Sequence, residues 1–312
     1  MIAFVFPGQG SQFVGMGWDI HQRFPEAREV FEEAQDALGE NLADLCFKGP
    51  EEELTRTVNS QPAILTVSVA LYRVLAANGL HPHVVAGLSL GEYSAHVAAG
   101  TFSFAEGVRL VRKRGQYMQE AVPVGQGSMA AIIGLSPEKV RQVCDEASSD
   151  GVVEPANYNS PGQIIVSGQV SAVQRAVALA RSLGASTIPL KVSAPFHSTL
   201  MKPAGARLKQ ALDEVSLCPP RIPVVANSTA DYVTSIEDVR TTLVNQVWSP
   251  VLWDASVRKM IQDGVKTFIE VGPGRTLTSM IRKIDRGVAA FSVEDIGSLE
   301  SVLRRKEEIC HA

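Results

Sequence analysis

Short runs of β-branched and aromatic residues alternate along this chain with longer stretches that are apolar at helical spacing. That alternation predicts an α/β fold on a parallel sheet. Ile2 to Phe6 predicts a strand, followed at once by the loop Pro7-Gly8-Gln9-Gly10-Ser11-Gln12. Gln61 to Ala77 is apolar on most faces and predicts a buried helix. His83 to Ala86 predicts a short strand, Leu90 to Ala99 the helix after it, and Phe104 to Ala121 a further helix carrying Arg109, Arg112, Lys113 and Arg114.

Between Gln126 and Leu190 the rhythm changes. Ser128 to Gly134 predicts a strand and Pro137 to Ala147 a helix. Val152 to Tyr158 and Gln163 to Ser167 predict two strands separated by the turn Asn159-Ser160-Pro161-Gly162. A helix from Val170 to Leu183 and a strand from Ser186 to Leu190 complete the stretch. The order β-α-β-β-α-β is the ferredoxin-like arrangement. Residues 126–190 are therefore expected to form a small subdomain inserted into a core made of residues 1–125 and 191–312. The core resumes with a helix from Leu200 to Leu212, a strand from Ile222 to Ala226 and two helices between Ile236 and Ile261. A strand from Thr267 to Val271, the turn Gly272-Pro273-Gly274 into a helix ending at Ile284, a strand from Val288 to Phe291 and a terminal helix follow.

Composition narrows the class. The 312 residues suit two domains or one large core with an insertion, and 45% hydrophobic with 20% charged residues excludes a disordered chain. A formal net charge of −4 argues against a nucleic-acid protein, which would show a basic face. The most apolar uncharged stretch, between Arg56 and Arg73, contains Asn59, Ser60, Gln61 and Pro62 and falls short of a bilayer span, so no membrane is expected. The N-terminus lacks the basic region of a signal peptide. Cys46, Cys144, Cys218 and Cys310 are far apart, with no paired spacing for a metal or a disulfide framework. A cytoplasmic location is the expectation.

The chemistry concentrates first on Gly87-Leu88-Ser89-Leu90-Gly91, a G-x-S-x-G between a predicted strand and a predicted helix. Flanking glycines permit a sharp turn that lifts the serine hydroxyl, and the helix N-terminus supplies free N–H groups beside it. Ser89 is thus a nucleophile, or else the N-cap of an ordinary tight turn. Six histidines compete as its base. His81 and His83 sit at the far end of the strand, roughly 15–20 Å from Ser89 at strand rise. His96 lies about 10 Å along the helix and suits a packed position. His21 and His311 have polar or terminal surroundings. His197, in Ala194-Pro195-Phe196-His197-Ser198, lies where the chain returns from the insert, a place for either a base or a capping role. Asp145, Asp150, Glu92 and Glu106 do not look placed to orient His197, so a serine–histidine dyad held by a neutral acceptor fits better than a triad.

The Gln9 loop has the first two glycines of a dinucleotide fingerprint but Phe13 where the third belongs, which favours an N–H donor to an oxyanion over a dinucleotide site. Arg114 is a carboxylate-binding candidate or one member of a solvated basic face.

Taken in order, Phe6-Pro7-Gly8-Gln9-Gly10-Ser11-Gln12, Gly87-Leu88-Ser89-Leu90-Gly91-Glu92, Arg114-Gly115, Ala194-Pro195-Phe196-His197-Ser198 and Glu270-Val271-Gly272-Pro273-Gly274 resemble the malonyl-CoA:acyl-carrier-protein transacylases of fatty-acid and polyketide synthesis. The resemblance runs from residue 6 to residue 274. It implies a hydrolase-like α/β core and transfer of malonyl from malonyl-CoA to the phosphopantetheine thiol of an acyl carrier protein through a seryl ester. It implies Ser89 as nucleophile, His197 as base, a main-chain carbonyl at Gln246 orienting that histidine, and backbone N–H groups of Gln9 and Leu90 as the oxyanion hole. Arg114 then matches the arginine that holds the malonyl carboxylate, and Phe196 the malonyl-selective form of its loop. No metal or redox cofactor is implied, and nothing demands more than a monomer. One departure stands out: many relatives carry histidine before the nucleophile, where this chain has Leu88. The rival reading is an acyl hydrolase that clears acyl groups from carrier proteins with water as acceptor.

Overall fold

The computed structural model describes residues 1–192 and 194–311, with the side chain of His311 outside the description. The chain begins with β1 (Ile2–Phe6) and continues through four helices, α1 (Trp18–Arg23), α2 (Pro25–Leu38), α3 (Leu42–Lys48) and α4 (Glu51–Thr55). Next come α5 (Thr57–Ala77), β2 (Val84–Gly87), α6 (Leu90–Ala98) and α7 (Phe104–Glu120). The insert follows as β3 (Gly127–Ile133), α8 (Pro137–Ala147), β4 (Val153–Ser160), β5 (Gln163–Gln169), α9 (Val170–Ser182) and β6 (Ser186–Pro189). The chain returns through α10 (Lys202–Asp213), β7 (Val224–Val225), α11 (Ile236–Gln246), α12 (Trp253–Gln262), β8 (Thr267–Val271), α13 (Thr276–Ile284), β9 (Ala289–Val293), α14 (Ile296–Arg304) and α15 (Lys306–His311).

The core sheet is parallel throughout, in the order β7-β2-β1-β8-β9. Strand periodicity sorts its side chains between two helical layers. Ile2, Phe4, Phe6, Val85 and Val224 join the cluster that contains α2, α5 and α7, whereas Ala3, Val5, Val84, Ala86 and Val225 meet α12 and α13 on the other face. The insert's sheet has the order β4-β5-β3-β6 and is antiparallel, the spatial order of a ferredoxin-like unit. One face, with Ala130, Ile132, Ile164 and Val166, packs under α8 and α9. The opposite face presents Met129, Ala131 and Ile165 to a cleft against the core.

Several expectations shift. Between the Gln9 loop and α5 the chain forms four helices outside the expectation. α1, α3 and α4 are short, and α4 carries Glu51, Glu52 and Glu53 in its first turn, whereas α2 buries Ala27, Val30, Phe31 and Ala34 at helical spacing. α5 starts at Thr57 rather than Gln61, with Pro62 in its second turn, because burial on nearly every face outweighs one lost backbone bond. Its 21 residues do reach a membrane-spanning length and hydropathy, contrary to the expectation, but 78% of the apolar window is buried inside the protein, as in a core helix. β7 is two residues long because the Ala226 N–H donates to Asp231 O, which turns the chain out of the sheet. The terminal helix is divided at Arg305, whose N–H closes a tight turn onto Val302 O.

Candidate active site

In a parallel sheet the loops that leave the carboxyl ends of the strands share one edge. Here the Gln9 loop leaves β1, Ser89 leaves β2 and Asn227 follows β7. Ser89 stands between β2 and α6 with φ 54° and ψ −105°. A non-glycine residue in that region carries roughly 1–3 kcal/mol of strain, so its surroundings must hold it. They do so at both ends of the residue. The Ser89 N–H donates to Asn227 Oδ1 at 2.6 Å, and Gln246 Nε2 donates to Ser89 O at 2.8 Å. Asn227 Nδ2 also donates to Gly87 O at 2.7 Å. Gly91 is required by close approach, since a Cβ there would fall 2.0 Å from the Phe6 carbonyl oxygen.

His197 enters from the chain that returns from the insert, also with a positive φ of 58°. Its Nδ1 lies 2.7 Å from the main-chain carbonyl oxygen of Gln246. A carbonyl can only accept, so Nδ1 carries the proton and Nε2 is left with a free lone pair. Nε2 lies 2.7 Å from Ser89 Oγ, and the serine hydroxyl donates to it. Burial and the nearby charge of Arg114 pull the imidazole from 6.5 down to about 4, against the Gln246 carbonyl. The ring is therefore neutral at neutral pH and able to take a proton.

Arg114 is 1% exposed and faces inward from α7. Its guanidinium donates to Gln61 Oε1 at 2.9 Å, to Gln246 Oε1 at 2.9 Å and to Ser89 Oγ at 3.1 Å, and it lies over the Tyr93 ring. The basic-face alternative holds for its neighbours: Arg109 and Lys113 are exposed, with Arg109 donating to Ala37 O and Lys113 paired with Glu214. Gly115 lets α7 come this close to α5, because a Cβ there would meet the Thr57 carbonyl oxygen at 2.8 Å.

The cleft between core and insert has a volume of about 540 Å³, large enough for an acyl-thioester arm. Gln9, Leu88, Ser89, Arg114, Phe196 and His197 line it. Leu90 and Gln246 do not, both being fully buried. As the first residue of a helix, Leu90 has an N–H with no helical partner. The Gln9 N–H likewise has no partner among the described residues, while its side chain donates to Thr57 Oγ1. A partly buried hydroxyl in a cleft, with a neutral base, a fixed cation and unspent N–H groups, can take up and release an acyl group.

The other histidines lie elsewhere. His81 and His83 are exposed, His83 accepting from the Ile2 N–H. His96 is buried against Phe102 and Thr101, with its pKa pulled down to about 3 by burial. Among the described residues no group of three or more His, Cys, Asp or Glu side chains could hold a metal ion. Residue reasoning missed Gln61, Asn227 and the placement of Glu92. The first two are ordinary amide residues far along the chain from Ser89. Glu92 is a helix-start acid, as expected, yet it is wholly buried and bonded to Asn227 and Gln246.

The chain is similar to known proteins in both sequence and fold. The acyl transferase domain family matches residues 3–303. The chain is 46% identical over 309 residues to a malonyl CoA-acyl carrier protein transacylase of Bacillus subtilis, covering 98% of each protein. The solved malonyl CoA-acyl carrier protein transacylase of Clostridium perfringens superposes with a TM-score of 0.96 at 41% identity, over 99% of this chain and 98% of the other. A malonyl-transacylase solved in complex with a type II PKS acyl-carrier protein gives 0.95 at 43% identity, over 97% and 99%. By sequence and by fold, this chain belongs to the acyl transferase domain family, among the malonyl CoA-acyl carrier protein transacylases.

Proposed function

We propose that the protein moves a malonyl group from malonyl-CoA to the phosphopantetheine thiol of an acyl carrier protein, serving fatty-acid or polyketide synthesis. In the first half-reaction Ser89 Oγ gives its proton to His197 Nε2 and attacks the thioester carbonyl. The N–H groups of Gln9 and Leu90 stabilise the oxyanion. Collapse expels the coenzyme A thiolate, which takes the proton from Nε2 and leaves a seryl ester. In the second half the carrier thiol gives its proton to Nε2, its sulfur attacks the ester, and the departing Ser89 oxygen recovers the proton. The Gln246 carbonyl keeps the imidazole in the tautomer that both halves need.

One observation supports this reading above all: a buried guanidinium donates to the same hydroxyl that donates to His197. A cation fixed there pairs with a carboxylate on the acyl group and is left unpaired by acetyl or longer neutral chains. Phe196 lines the same cleft. An acyl hydrolase would have no use for such a cation, and that rival is not favoured. Leu88, the one departure from the family resemblance, lines the cleft and bears on rate and acyl choice rather than on reaction type. The chemistry calls on no metal or redox cofactor from start to finish. Exchange between two soluble thioesters suits a cytoplasmic monomer with no membrane and no nucleic acid as partner.

The test is Arg114→Ala, assayed with malonyl-CoA and acetyl-CoA. Malonyl loading is expected to fall about a hundredfold or more, as when one member of a buried charge pair is removed, with acetyl loading far less affected. Equal losses for both would contradict a carboxylate-reading role.

A further inference from the structure

Glu92 lies three residues after Ser89, fully buried, and touches neither the serine hydroxyl nor His197. A buried carboxylate is costly unless its bonds are used. One oxygen, Oε2, accepts from the Asn227 N–H at 2.9 Å and from Gln246 Nε2 at 2.8 Å. The other, Oε1, has no partner among the described residues. An amide has one donor end and one acceptor end. With Nε2 committed to Glu92 and to Ser89 O, the Gln246 oxygen must face Arg114, where it accepts from the guanidinium. With an apolar residue at position 92 the amide loses one of the two acceptors that hold its NH2. The NH2 then keeps only the Ser89 carbonyl, and the amide oxygen holds the Arg114 guanidinium less firmly in place.

We propose that Glu92 is a positioning residue for acyl selection: it locks the Gln246 amide so that Arg114 is held at the height of the Ser89 hydroxyl, ready for a carboxylate-bearing acyl group. The assignment rests on the transacylase reading above. Arg114, on α7, is the charged group facing Glu92. Burial lifts the Glu92 carboxyl to about 7, so both protonation states are populated near neutrality. Either state preserves the lock, because a proton settles on the unpartnered Oε1 and leaves Oε2 accepting. Glutamine at position 92 reproduces the neutral form.

The experiment measures seryl-ester formation from malonyl-CoA and from acetyl-CoA in wild type, Glu92→Leu, Glu92→Gln and Gln246→Leu. Glu92→Leu is expected to lower the malonyl-to-acetyl rate ratio about tenfold or more, while Glu92→Gln keeps it within about threefold of wild type. Gln246→Leu, which retains the main-chain carbonyl on His197, is expected to match Glu92→Leu. Equal loss for both acyl groups, or an unchanged ratio in the two leucine variants, would overturn the assignment. If Glu92→Leu does not fold, the ratio in Gln246→Leu decides alone. A wild type that never acquires malonyl would overturn the transacylase reading, and the positioning role with it.

Discussion

Ser89 and His197 are two of the three non-glycine residues with positive φ among those described, and they meet across a 2.7 Å hydrogen bond. Strain of this kind persists where surrounding bonds over-determine it, and the bonds from Asn227 and Gln246 do so here. The same residues set the pH behaviour. His197 with its pKa near 4 acts as base only when neutral, so loading from malonyl-CoA is expected to lose activity as pH falls through about 4. The pH dependence of kcat/KM checks this. A flat profile from pH 5 to pH 8 agrees, and an acid limb near 6.5 would mean an exposed, unperturbed imidazole. At this scale Ser89 was legible as a candidate because glycines flank it, whereas Arg114 stayed open between a carboxylate binder and a basic face until the resemblance was weighed. Gln61 and Asn227 were not, since an amide that supports a site has no spacing signature of its own.

Elements bring these residues together by turning sharply at one edge of the sheet. Gly91 is the clearest case: the elbow closes only because β1 can approach without meeting a Cβ. Gly91→Ala is expected to destabilise the fold by about 2 kcal/mol through overpacking. It is also expected to displace Ser89 enough to slow acylation at least about tenfold. Denaturant unfolding and acylation rate report the two effects separately, and a variant unchanged in both would contradict the account of the elbow. Glu270 does comparable work at the next strand, accepting from the Leu277 and Thr278 N–H groups and so fixing the start of α13 beside the cleft. Strands and long helices were legible from their periodicity. Of the helices from Trp18 to Thr55, α1, α3 and α4 are too short to impose a helical period and tertiary packing decides them; α2 does carry the period, in Ala27, Val30, Phe31 and Ala34, and was legible but passed over.

Across the whole molecule, two sheets with no shared strand face one cleft, the parallel one supplying chemistry and the antiparallel one a wall. The β-α-β-β-α-β order made the insert legible, but which of its faces turns inward depends on contacts that no local pattern encodes. Burial of charge-capable groups also links global stability to pH. His96, with a folded pKa near 3 and an ordinary value of 6.5, contributes stability that is present above pH 6.5 and is lost as pH falls toward 3, because the unfolded chain takes up the proton first. Relative to wild type, His96→Gln is therefore expected to gain stability steadily as pH drops below 6.5, whatever its constant cost in packing. Urea unfolding at pH 7 and pH 5 measures this, and a pH-independent difference would mean that the His96 imidazole titrates in the fold as it does in the unfolded chain.

Intact-protein mass reads both the seryl ester and its carrier-dependent release. The protein is mixed briefly with malonyl-CoA, weighed, and weighed again after a phosphopantetheine-bearing carrier protein is added, with Ser89→Ala alongside. A malonyl adduct is expected on wild type only, stable in buffer and discharged to the carrier. An adduct on Ser89→Ala, or one that decays to free acid as fast without the carrier as with it, would contradict that expectation.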